Sequence, residues 1–230
     1  MKVSIFNRIL SALIDFVFVA IMALTLDRLI ATPIVNGIWN YDQQYETYHA
    51  IVEEYEKLQD KYEIYVYTED EKRILNENVS EEQKEAFLQD QRVIEIKEEA
   101  VVLQNSIRKI TSIELGIAFL LSLLFCYMLF PLIFKKRATL GKRIFHLVRC
   151  DKKGVLLRTP AYLLYNFCVI LFHYIIGLGT FGLYLLANLV VYFVQKDHLT
   201  ITDRMTKTIC TYDEDYIEAS LVTKEKEMEK

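Results

Sequence analysis

Three long apolar blocks dominate this chain: Ile9 to Leu26, Ile113 to Phe134, and Ala161 to Val194. Each of the first two is about the length that crosses ~30 Å of hydrocarbon as a helix. The third, with Gly177 to Gly182 reading GLGTFG at its middle, is too long for one span and carries glycines where a helical hairpin turns. Four transmembrane helices are therefore expected. The overall composition, 53% hydrophobic and 25% charged, would suit a soluble domain, so the blocks decide the class. The N-terminal block reads as a retained span: Asp15 interrupts it, no small-x-small cleavage site follows, and Asp27-Arg28 precede a further apolar stretch.

Charge sets the orientation. Between Lys135 and Arg158 the chain carries nine Lys/Arg against the single Asp151, and Lys2 and Arg8 flank the first block, which places these parts in the cytoplasm. Both termini then lie inside. The segment from Asn36 to Arg108, with 18 Asp/Glu and 8 Lys/Arg, lies outside. The segregation excludes nucleic acid as a partner and assigns the basic loop to topology and membrane lipid headgroups.

The outer segment has a period of its own. Tyr41, Tyr45, Tyr48, Val52, Tyr55, Gln59 and Tyr62 alternate spacings of four and three, as do Val93, Ile96, Ala100, Leu103, Ile107 and Ile110. The two stripes predict an antiparallel coiled-coil hairpin, with Ile64 to Val79 as its tip and Asn36-Gly37 dividing it from the first span. Ser80-Glu81-Glu82-Gln83 fits a capping box, and the absence of Gly and Pro from there to Leu115 predicts one helix running from about residue 81 through the second span. Contact area with a polar end suits tyrosines to a protein interface, so residues 37–112 are also a candidate partner-binding surface.

The fold class that results is an all-α membrane protein: four transmembrane helices, an extracytoplasmic antiparallel coiled-coil hairpin and a small cytoplasmic β element. Its segments are residues 1–36 (first span), 37–112 (hairpin), 113–134 (second span), 135–160 (basic loop with a β-hairpin), 161–197 (spans three and four) and 198–230 (tail). In the basic loop, a strand with Ile144 and Leu147 or Val148, a turn from Asp151 to Gly154 and a short strand Val155 to Leu157 are expected; Thr206 to Tyr212 offers a further strand.

No cofactor is implied. Cys126, Cys150, Cys168 and Cys210 form no CxxC, His49, His146, His173 and His198 are scattered, and no nucleophile elbow, HExxH or phosphate-binding glycine loop occurs, which disfavours an enzyme and gives no metal site. Chemistry points instead to Asp15, which would cost roughly 2.5–3.5 kcal/mol in hydrocarbon if ionised and alone. Arg8, Ser11 and Asp15 share one helix face, but Arg8 and Asp15 are two turns, about 10 Å, apart along the axis, too far for a direct pair. Asp15 must then meet Arg143, Lys142 or Arg204 at the inner mouth, or hold a proton.

Arg8-x3-Ala12-x2-Asp15, then Thr139-Leu140-Gly141-Lys142-Arg143 leading into a strand and an Asp-x-x-Gly turn, then Asp203-Arg204-x3-Thr208 resemble the signature of the RDD family of multispanning, mostly bacterial membrane proteins. The resemblance covers residues 5–35 and 113–212. It implies that Arg8, Asp15 and Asp203 are the arginine and two aspartates of the family's name, with Ser11, Thr139, Gly141, Lys142, Arg143, Arg204 and Thr208 supporting them. Two departures stand out: members usually carry a glycine where this chain has Lys207, and a short loop where it has some 70 residues. The resemblance implies a protein of the bacterial cytoplasmic membrane. Cation/proton antiport is assigned to some members, and accessory or inhibitory roles in membrane complexes to others. A proton-coupled transporter of a cation or small solute, built as a homo-oligomer, and a non-transporting adaptor or inhibitor that engages a protein partner through residues 37–112 are the two functional expectations.

Overall fold

A computed structural model describes residues 3–67, 72–195 and 199–216. Lys2, His198, part of the Ile64–Val79 tip and the tail beyond 216 lie outside the described residues. The chain forms two compact units, one built from the N-terminal helix through Leu26 together with the chain from Ala118 onward, the other from Asp27 to Ile117.

In the first unit, α1 (Ile5–Leu26) is inside out by the standard of a soluble helix. It buries Ser11, Asp15 and Val19, spaced by four, and exposes Phe6, Leu13, Phe16, Val17 and Leu24. Water would reward the reverse arrangement; hydrocarbon rewards this one. Among the described residues, three helical stretches are long and apolar enough to cross a membrane: Ile5–Trp39, Gln91–Leu132 and Thr159–Gly179. The second ends through a π-helical turn, Leu124–Leu129, and the third contains another, Ile170–Ile176. The fourth apolar helix (Leu183–Val194) has only 12 residues, a rise of about 18 Å, because the backbone turns extended at Gln195.

Polar contacts join these helices. The Tyr127 and Tyr174 hydroxyls, one from each π turn, lie 2.7 Å apart, and the buried Asn166 side chain donates to the Tyr127 carbonyl at 2.8 Å. A π turn shifts the helical hydrogen-bond ladder, so a side-chain donor at this carbonyl satisfies a group the ladder leaves free.

The β element differs in detail from the sequence expectation. Ile144 ends a short helix (Leu140–Ile144) instead of starting a strand, and His146, in left-handed conformation at φ 53°, turns the chain into β3 (Leu147–Asp151). The partner of β3 is β4 (Thr208–Tyr212), antiparallel, with Leu147 opposite Tyr212 and Asp151 opposite Thr208. Val155–Leu157 supplies only a single bridge, Cys150 to Leu156. The intervening turn forms as its residues dictate: Gly154 takes φ 81°, and the Asp151 carboxylate accepts from the Lys153 and Val155 amides. Thr206 belongs not to β4 but to the helix before it, Ile201–Thr206, and Lys207 makes the corner.

In the second unit, helix Tyr41–Lys61 runs antiparallel to Glu81–Gln89 and the first part of Gln91–Leu123, as pairs along its length show. Tyr41 meets Thr111, Gln44 meets Ser106, Arg92 forms a two-pronged pair with Glu54, and the Tyr62 hydroxyl donates to Asp90. Val93, Ile96 and Ile110 of the second stripe are buried. Two boundaries move. The helix leaving the first span continues through Asn36 and Gly37 to Trp39 and breaks at Asn40, where φ is 48°; the Asn36 side chain bridges this break by bonding Asp42. The single helix expected from residue 81 is interrupted at Asp90, whose carboxylate accepts from the Arg92 amide and so offers the backbone a local alternative to the helical bond. The Ser80–Gln83 capping box is present, and β1 (Tyr65–Tyr67) pairs with β2 (Arg73–Leu75) as a small hairpin at the tip.

Candidate functional site

Asp15 is held by the short helix of the basic loop. The Thr139 hydroxyl donates to one carboxylate oxygen at 2.6 Å and the Gly141 amide to the other at 2.8 Å. Gly141 is required there. A Cβ at this position would stand 2.0 Å from the Ser11 carbonyl oxygen, backbone against backbone, so only glycine lets the loop approach α1 closely enough for its amide to reach Asp15. The other cations considered as partners lie elsewhere: Arg143 is exposed with its guanidinium 3.5 Å from the centroid of the Phe134 ring, and Arg204 is exposed on the helix after Thr200.

Asp203 is wholly buried and forms the second centre. Thr200 and Asp203 make a capping box, fixing the carboxylate at the start of its helix. One oxygen takes Arg149 Nη1 at 2.5 Å; the other takes Arg8 Nη2 at 3.2 Å. Burial opposes the charge on Asp203, but Arg149 and then Arg8 outweigh it and hold the carboxyl below the usual carboxylate range. Arg149 also lies 4.4 Å from the Tyr165 ring centroid and Arg8 5.3 Å from that of Tyr192. Arg8 and Asp203 are thus in contact, whereas Asp15 is anchored separately by neutral donors. Ser11 is buried under Gly141, and buried Thr208 places its hydroxyl 3.0 Å from that of Thr206.

Between the two centres lies a cavity of about 390 Å³, touched by Arg8, Asp15, Lys142 and Arg149. Lys142 is buried there, its ammonium 5.4 Å from the Tyr165 ring centroid. Burial, with Arg149 next in effect, lowers its pKa to about 8, although Asp15 pulls the other way. His173 and Asn188, side chains 3.0 Å apart, close another wall, and Asn188 also accepts from the Ile201 amide.

Sequence reasoning counted Arg149 among the basic loop residues only as a topology signal. Its other role follows from burial that only the fold creates: the strand is buried at its first four positions, and an arginine there needs a buried anion. The expected glycine before Thr208 also gains a physical meaning, since Lys207 adopts φ 54°, ψ 39°, a conformation glycine enters without steric cost. Compared with protein-family models, curated proteins and solved structures, the chain matches none.

Proposed function

We propose that this is a multi-pass membrane protein of the RDD type that carries a small solute coupled to protons, with Asp15 and Lys142 as the proton-exchanging groups. The observation that supports this most is the cavity: an aspartate on an otherwise lipid-facing helix opens onto the same space as a buried lysine, whose pKa burial lowers to about 8. Four crossings with both termini cytoplasmic agree with the course of the chain. β3 precedes the third long helix and β4 follows Leu183–Val194, yet the strands pair, so the last apolar helix returns to the side where the third began. The start of α1 lies on that side too, since the Asn7 side chain donates to the Tyr212 hydroxyl. A homo-oligomer in the bacterial cytoplasmic membrane would give four short crossings a complete pathway. In proteoliposomes the protein drives solute-dependent proton flux, and Asp15→Asn assembles normally but loses it. Undiminished flux in assembled Asp15→Asn, or none in the wild type, overturns the proposal.

A second reading is favoured by the surface of the other unit, where Tyr45, Leu88, Val101 and Val102 are all exposed. In that reading residues 37–112 form a coiled hairpin that binds a partner protein, and the membrane part is an anchor. Purification in mild detergent with a stoichiometric second protein, together with absence of flux, would select it.

A further inference from the structure

Asp15 and Lys142 bring opposite charges to one cavity without touching each other. The Gly141 amide holds the Asp15 carboxylate and Lys142 is the next residue, so the same short helix seats both groups. They are near enough that Asp15 opposes the lowering of the Lys142 pKa by burial. Yet among the described residues they form no direct ion pair: the carboxylate takes its hydrogen bonds from Thr139 and Gly141, and the ammonium faces the Tyr165 ring.

Both groups have bonding capacity to spare. Each Asp15 oxygen accepts one bond, whereas a carboxylate offers about four lone-pair sites. The Lys142 ammonium carries three N–H donors, and among the described residues none of them makes a hydrogen bond. Leaving such donors unmet in a buried site is costly. Arg8 and Arg149 also touch the cavity, but both are engaged with Asp203. Elsewhere the wall is apolar, with Ile9, Leu178, Leu185 and Leu189.

This pairing selects among ligands by charge. A simple anion seated here meets Asp15 as a like charge, and a simple cation meets Lys142 as one; a molecule carrying both charges is met favourably by both. Resting on the reading of this cavity as a solute site, we propose that its ligand is a zwitterion with an apolar body, its primary ammonium on Asp15, its anionic group on Lys142 and its body against the leucines. The volume of about 390 Å³ lies within the range of small-molecule sites. Such a ligand comes from two sources, a free amino acid with an apolar side chain or the headgroup of phosphatidylethanolamine.

The test uses the full chain in phosphatidylcholine nanodiscs, whose quaternary headgroup has no N–H to offer Asp15. Calorimetric titrations compare leucine with isocaproate, which lacks the ammonium, and isoamylamine, which lacks the carboxylate, against empty discs. Loss of one charge-assisted hydrogen bond reads as about tenfold or more in affinity, so leucine binds more tightly than either analogue by that factor. Lys142→Met removes the advantage of leucine over isoamylamine and leaves isoamylamine binding unchanged; Asp15→Asn removes its advantage over isocaproate. Native mass spectrometry in discs that also contain phosphatidylethanolamine and phosphatidylglycerol separates the sources. Phosphatidylethanolamine retained in preference to phosphatidylglycerol, and lost in Lys142→Met, assigns the site to lipid; leucine binding without that retention assigns it to a free amino acid. Leucine binding no tighter than either analogue, with phosphatidylethanolamine retained no better than phosphatidylglycerol, overturns the inference, as does full leucine affinity in a folded Lys142→Met protein. Leucine binding without proton flux leaves the inference standing and removes transport, while proton flux driven by a cation, with no leucine binding, does the reverse.

Discussion

Arg149 of β3 and Asp203 of the helix after Thr200 meet at 2.5 Å with both side chains almost fully buried, and they fasten together segments that lie on either side of the last two apolar helices. Arg8 reaches the same carboxylate from α1. One aspartate thus collects the N-terminal helix, the basic loop and the returning chain.

Removing the shared anion is more damaging than removing either cation. Asp203→Asn takes the counter-charge from the buried Arg149 guanidinium and costs about 3–5 kcal/mol, while Arg8→Gln, which leaves the Arg149 pair in place, costs less than half of that. Thermal unfolding in detergent, compared across the two variants, reads the difference.

The same pair sets an acid limit. The Asp203 pKa is depressed on folding, so its contribution to stability is complete above the unfolded-state value near 4 and is lost as pH falls through the lower folded value. The melting temperature of the wild type declines in that acid range, and the decline is much shallower in Asp203→Asn.

Gly141→Ala puts a methyl group 2.0 Å from the Ser11 carbonyl oxygen. Neither backbone can retreat without breaking the bond from the Gly141 amide to Asp15, so the variant loses roughly 3 kcal/mol, the upper end of ordinary overpacking. Gly116→Ala, in the interior of the helix Gln91–Leu123 with open space around the added methyl, is the control and stabilises by about 0.5–1 kcal/mol instead.

Asn166→Leu removes the donor to the Tyr127 carbonyl in the π turn. A loss of about 0.6–1.7 kcal/mol is expected, the range of interhelical hydrogen bonds in membranes. Hydrogen exchange at the amides of residues 124–129 should rise in parallel.

Lys207→Gly should stabilise the protein by roughly 1 kcal/mol. Its left-handed backbone suits glycine, and the ordinary entropic cost of a glycine only partly offsets the relieved strain. The melting temperature rises if the strain is local to this residue.

Sequence alone determined the class of this molecule, because hydropathy acts over a run of neighbours. A block such as Ile9 to Leu26, with its few polar residues spaced by four, reads as an apolar helix with a narrow polar stripe, and the spacing from Val93 to Ile110 marked a face on which Val93, Ile96 and Ile110 are buried, whereas Tyr45 of the tyrosine stripe is exposed. Turn chemistry was legible for the same reason, since the Ser80–Gln83 box and the Asp151–Gly154 turn are closed by residues within four of one another. Boundaries were not legible where a side chain competes with the backbone, as at Asn40 and Asp90, or where the helix stops short, as at Gln195. The site belongs wholly to tertiary structure. Asp15 finds its donors 124 and 126 residues away, and Asp203 finds Arg149 and Arg8 at separations of 54 and 195. Electrostatic pairing depends on distance in space, which no local pattern encodes. Only the closed fold decides that Arg149 is a structural clasp and that Lys142, one residue from the indispensable Gly141, is buried on the wall of a cavity that Asp15 also lines.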